Sequence, residues 1–126
     1  MIKEKPKENI ISNKSKKFAF RIVALYKTLR IRNNETVMSK QILRSGTSVG
    51  ANIVEAQSGS SRRDFLNKMY IAFKECNETA YWLDLLYSGE FISEKEYNSM
   101  SKDCMELKRL LSSITATTRR GFRDDN

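Results

Sequence analysis

Residues 65–86 read F-L-N-K-M-Y-I-A-F-K-E-C-N-E-T-A-Y-W-L-D-L-L, and Phe65, Met69, Ala72, Cys76, Thr79, Leu83 and Leu86 recur at steps of four and three. That spacing puts all seven on one stripe of an α-helix. No glycine or proline interrupts the run. Just before it, the Ser61 hydroxyl is placed to cap the free amide of Asp64, and Asp64 suits the positive end of the helix dipole. Gly89 is the expected C-terminal stop. A helix over 62–88, buried along one stripe, follows.

Working outward, Ser93 and Glu96 form an S-x-x-E capping box for another helix. Its stripe is Tyr97, Met100, Cys104, Leu107, Leu111 and Ile114, fading in the Thr115 to Thr118 run, so its span is about 93–118. Upstream, Phe18, Ile22, Leu25 and Leu29 repeat at seam spacing and predict a helix over 13–32, ended by Asn33 and Asn34. A further helix spans 35–57, followed by a loop of Ser58, Gly59, Ser60 and Ser61. Short loops force consecutive helices to lie side by side. The expected fold is therefore all-α: an antiparallel up-down-up-down four-helix bundle with left-handed packing. Residues 1–12 read as a basic, flexible N-terminal arm and 119–126 as a flexible C-terminal tail.

The chain has 126 residues, a common size for one domain, with Pro6 its only proline and five glycines. Cys76 and Cys104 both fall on apolar stripes and read as buried thiols, with a disulfide between them the lesser alternative. No apolar run approaches the roughly 20 residues of a membrane span, and the N-terminus lacks the apolar block of a signal peptide. A cytoplasmic location with no membrane partner is expected. The net charge is +8. Half of it lies within residues 1–17, so the body of the protein is only mildly basic.

The second helix is unlike the others. Residues 44–56 read R-S-G-T-S-V-G-A-N-I-V-E-A, with two glycines and three hydroxyl residues in mid-helix. Such residues disfavour a helix on propensity, so tertiary contacts must override it. Ile42, Gly46, Val49, Ile53 and Ala56 cluster on one side, and Arg44, Ser48, Asn52 and Glu55 on another. Gly46 and Gly50 allow a neighbouring helix to come close. A solvated face normally carries Lys and Glu, whereas serine and asparagine suit fixed hydrogen bonds. The polar stripe therefore reads as an interface, either between helices or between subunits. Lys74, Glu75 and Glu78, followed by Tyr81 and Trp82, offer a matching set on the third helix. Antiparallel pairing brings Arg44 or Asn52 toward Glu75 or Glu78 in a charge-assisted pair that sets register more than stability.

Three strings carry a family resemblance: Q-I-L-R-S-G-T-S-V-G-A-N-I-V-E-A from Gln41, R-R-D-F-L from Arg62, and I-A-F-K-E-C-N-E-T-A-Y-W-L from Ile71. Over about residues 18–114 the sequence resembles the four-helix-bundle family named after proteins encoded in intervening sequences of bacterial 23S ribosomal RNA genes, formerly called the S23 ribosomal protein family. Arg44, Ser45, Ser48, Asn52, Ile53 and Glu55 match its helix-two signature. Lys74, Glu75, Glu78, Thr79, Tyr81 and Trp82 match its helix-three signature. Ala56 departs from it, since many members have glycine there, which bears on local packing alone. The resemblance implies a four-helix bundle assembled as a homopentamer, and it names no molecular activity.

Catalytic chemistry finds little footing. Histidine is absent, which removes the commonest general base and metal ligand. Glu75-x-x-Glu78 with Glu55 offers carboxylates for a metal, but salt bridges are the stronger reading. There is no phosphate-binding G-x-x-x-x-G-K-[ST] loop, and Ser45 and Ser48 lack an activating partner of the usual kinds. No enzyme activity, cofactor, metal or small-molecule substrate is expected. The expected partner is a second copy of the chain, through Arg44, Ser45, Ser48, Asn52, Glu55, Lys74, Glu75 and Glu78. The alternative is RNA or DNA held by its phosphate backbone through Lys14, Lys16, Lys17, Arg21, Lys27, Arg30, Arg32, Arg119, Arg120 and Arg123. The plainer reading of those cations is a solubilising surface.

Overall fold

The structure is a computed structural model that describes residues 6–59 and 61–124, with side chains from Glu8 to Phe122. Four α-helices account for nearly all of it: α1 (Pro6–Arg32), α2 (Met38–Gln57), α3 (Arg62–Ser88) and α4 (Glu94–Asp124). No strand occurs among the described residues. α1 packs on α2 and α4, α3 packs on α2 and α4, and the diagonal pairs do not pack on each other. The core is the shared inner stripe, with Phe18, Ile22, Leu29, Ile42, Val49, Ile53, Met69, Leu83, Leu86, Leu107 and Leu111 essentially inaccessible. No helix of the described residues is long and apolar enough to cross a membrane.

α3 has the bounds its sequence pattern predicts. The Ser61 side chain accepts from the Asp64 amide at 3.0 Å. At the other end Gly89 sits at φ −82°, and it is Glu90 that takes the left-handed conformation, at φ 65°. Space explains the glycine better than conformation: a Cβ there would stand 3.1 Å from the Phe91 ring and 3.2 Å from the Leu85 carbonyl.

The outer ends of the bundle differ from expectation. α1 starts at Pro6 instead of residue 13, so the described part of the expected N-terminal arm is helical. Ile11, fully buried, stands seven residues before Phe18 and extends the stripe. The seam position between them is Ser15, 2% exposed, whose hydroxyl donates to the Ser12 carbonyl at 3.0 Å. A polar residue in an apolar register hid the continuation. Residues 1–5 lie outside the described part.

α4 likewise continues past residue 118 to Asp124, where a tail was expected. Buried Thr115 prolongs its inner stripe. The Thr117 and Thr118 hydroxyls donate to carbonyls one turn back, on Ser113 and Ile114. The Phe122 ring then lies beneath the guanidinium groups of Arg62 and Arg63, at 5.7 and 5.8 Å. These contacts hold a segment whose sequence alone has no apolar periodicity. The capping box at its start forms as read, with Glu96 N donating to Ser93 Oγ and Ser93 N to Glu96 Oε1.

α2 begins at Met38 instead of residue 35, because Glu35 stays outside the helix and caps it. Its carboxylate accepts from the amides of Val37, Met38 and Ser39 at 3.0, 2.9 and 2.6 Å. Asn34, at φ 53°, turns the chain so that this reach is made. Burial pushes the Glu35 carboxyl up, but the backbone bonds from Met38, Ser39 and Val37 outweigh it and hold the group below its ordinary value.

Candidate functional site

The α2–α3 seam gathers most of the polar residues that the sequence singles out. Its innermost pair is Ser45 and Thr79, both fully buried, with hydroxyl oxygens 2.9 Å apart. Thr79 Oγ1 is also 2.8 Å from the Glu75 carbonyl, and Ser45 Oγ is 3.5 Å from that of Ile42. Two hydroxyls thus satisfy each other in the buried part of the seam.

Outside that pair, the Arg44 guanidinium bridges Glu75 at 3.2 Å and Glu78. Glu78 also accepts from the Trp82 indole N–H at 3.0 Å. One carboxylate therefore serves both an arginine from α2 and a tryptophan from its own helix. Arg44 remains 49% exposed while Glu75 is 19% exposed, so the cluster is half in water. Farther along, Glu55 pairs with Lys68 at 2.9 Å. The hydrogen bond and charge of Glu55 raise the Lys68 pKa.

Ser48 and Asn52 do not cross the seam. The Ser48 hydroxyl donates to the Arg44 carbonyl at 2.7 Å, and the Asn52 amide to the Ser48 carbonyl at 2.8 Å. Each answers its own helix, as short polar side chains often do. Lys74 is exposed on α3. Lys68, absent from the sequence-based set, is the residue that completes Glu55.

The glycines of α2 face α1. A Cβ at Gly46 would lie 2.7 to 2.9 Å from three atoms of Ile22, so the helices approach as closely as they do only because no side chain is there. At Gly50 the nearest atom is Ser15 Oγ, at 3.5 Å.

The ten nominated nucleic-acid cations are scattered. Lys14 pairs with Glu106, and Arg21 with Asp103 at 2.5 Å. Arg30 lies over Tyr26, and Arg119 over Tyr70. Arg120 donates to Thr117 Oγ1, and the side chain of Arg123 falls outside the described part. Lys16, Lys17, Lys27 and Arg32 stay exposed on α1. Lys14 and Arg30 are separated by about 24 Å of helix axis, so one compact patch does not form. The missing signal was pairing: Asp103 and Glu106 sit one turn apart on α4, toward α1.

Among the described residues no group of three or more His, Cys, Asp or Glu gathers as metal ligands would. Cys76 and Cys104 are buried free thiols, and Cys104 Sγ donates to the Cys76 carbonyl at 3.3 Å. The hydrogen bond to Cys104 and burial push the Cys76 thiol up, away from the reactive thiolate. A cleft of about 490 Å³ opens at one end of the bundle, between Glu8, Arg62, Phe65 and Arg120.

A solved structure similar to this chain is the crystal structure of a protein of unknown function from the S23 ribosomal protein family of Bacteroides thetaiotaomicron VPI-5482. It shares 55% identity over 87% of this chain and 98% of that one, with a TM-score of 0.86. No curated protein matches. The family model described as 23S rRNA-intervening sequence protein matches residues 7–113. With the match spanning all but the two ends of the four-helix architecture, the chain belongs to the 23S rRNA-intervening sequence protein family.

Proposed function

We propose that this chain is a non-catalytic scaffold that self-associates through the outer face of α2 and α3, in an antiparallel up-down-up-down bundle. Pairs of opposite order support the topology: Arg44 with Glu78 and Glu55 with Lys68 across α2–α3, Lys14 with Glu106 and Arg21 with Asp103 across α4–α1. The homopentamer is the assembly that the family resemblance implies. Buried free thiols suit a cytoplasmic setting.

One observation carries the interface. The half-exposed Arg44–Glu75–Glu78–Trp82 cluster is bordered by Ile71, 39% exposed, and Tyr81, 56% exposed. Arginine and aromatic residues, with charges already paired, are what the centre of a subunit interface favours. The test is the double substitution Ile71→Arg with Tyr81→Ser, followed by light scattering and circular dichroism. A smaller particle with unchanged helix content supports the interface. An unchanged mass refutes it.

A further inference from the structure

α1 has two cationic sides with different fates. Toward α4 its charges are answered, Lys14 by Glu106 and Arg21 by Asp103 and Ser99. Away from the bundle they are not: Lys16 and Lys27 are exposed and make no ion pair among the described residues, whereas Lys17 lies on the α4 side, lining a groove with Lys14, Asp103 and Glu106. No acidic residue occurs between Glu8 and Glu35, so α1 itself supplies no counter-charge along this face.

Along the same face stand hydrophobic side chains in water. Phe20 is 65% exposed, Val23 37% and Ile31 80%. Lys16, Phe20, Val23, Lys27 and Ile31 follow at steps of four, three, four and four. At about 100° per residue they fall within about 80° of arc, roughly opposite the buried stripe. This is a second helix-packing seam, and none of the described helices fills it.

We propose that the outer face of α1 docks an acidic amphipathic helix of another protein. Phe20, Val23 and Ile31 take the partner's apolar stripe, and Lys16 and Lys27 meet carboxylates flanking it. Seam spacing and two aliphatic anchors favour a helix over a nucleic acid, for which Phe20 alone offers a stacking ring. A second copy presenting the same face in a two-fold contact would set lysine against lysine, and a copy presenting a different face is distinguished by particle mass. The site stands apart from Ile71 and Tyr81, the exposed residues of the self-association surface, since both lie on α3 and α1 does not pack on α3.

The probe is a fluorescein-labelled peptide of about three heptads with leucine at a and d and glutamate at e and g. Its like charges disfavour self-pairing. A peptide with lysine at e and g and a single-stranded uridine oligonucleotide serve as controls. Anisotropy should show binding of the acidic peptide by the full chain, weakening with salt. Phe20→Glu and Lys27→Glu should each weaken it about tenfold or more with helix content and particle mass unchanged. Failure of the acidic peptide to bind, binding that survives Phe20→Glu, or tighter capture of the oligonucleotide by the same residues overturns the proposal. A fall in particle mass on Phe20→Glu would instead assign the face to a second copy, and overturns it too.

Discussion

Gly46 and Gly50 lie one turn apart in α2, yet replacing each with alanine should move stability in opposite directions. In mid-helix, glycine to alanine gains about 0.5–1 kcal/mol from backbone entropy alone. At Gly50 the new methyl meets Ser15 at 3.5 to 3.7 Å, ordinary contact, so the gain should be expressed in full. At Gly46 it would stand 2.7, 2.8 and 2.9 Å from three carbons of Ile22. Ile22 is fully buried and stiff at its branched carbon, so relief requires α1 itself to move. Overpacking of this kind costs about 1–3 kcal/mol. The net for Gly46→Ala is a loss of about 1 kcal/mol after the propensity gain is subtracted. The assay is urea unfolding followed by Trp82 fluorescence and circular dichroism, at one fixed chain concentration because the proposed assembly would add to stability. A double-mutant cycle sharpens it: in an Ile22→Ala background, Gly46→Ala should become stabilising, since the methyl then fills space. A Gly46→Ala protein as stable as wild type, or no reversal in that background, refutes the close-approach account.

Three further outcomes follow from the packing. Ile11→Ala should cost about 2–4 kcal/mol, as at other buried aliphatic positions, and a change near zero in thermal unfolding would return the segment to the status of an arm. Thr79→Val should cost about 1 kcal/mol by leaving the buried Ser45 hydroxyl poorly served. Adding Ser45→Ala should then cost little more, and two fully additive penalties would show that the hydroxyls do not act together. For Glu35 the folded carboxyl titrates below its ordinary value, so its contribution is complete above that value and is lost as pH falls through the lower, folded one. Glu35→Gln should therefore be destabilising by about 1 kcal/mol at neutral pH, with a gap to wild type that closes in acid. A pH-independent gap in unfolding experiments would contradict the capping role.

The readable parts of this sequence are those where one physical effect dominates. α3 is legible to the residue because its stripe meets no breaker and Ser61 marks its start. α1 is shortened on reading because Ser15 occupies a buried position on the strength of one local hydrogen bond, which no hydropathy pattern reveals. Glu35 escapes notice for a related reason: its capping reach depends on the turn at Asn34, and that turn is conformational. In the candidate site, opposite charges made the Arg44–Glu75–Glu78 grouping legible. The choice of Ser48 and Asn52 between their own helix and the neighbouring one was not, since either bond satisfies the same atoms. Gly46 announces a close approach, but only the fold says that Ile22 of α1 is what comes close. The basic residues mislead most when counted alone, because the acids that answer Lys14 and Arg21 lie on the last helix.

Sedimentation equilibrium on the full chain, from low to tens of micromolar concentration, tests the self-associating scaffold most directly. The account predicts a mass several times the 14.6 kDa of one chain, falling toward that value for Ile71→Arg with Tyr81→Ser. A wild-type chain that stays at the mass of one copy throughout the range would contradict it.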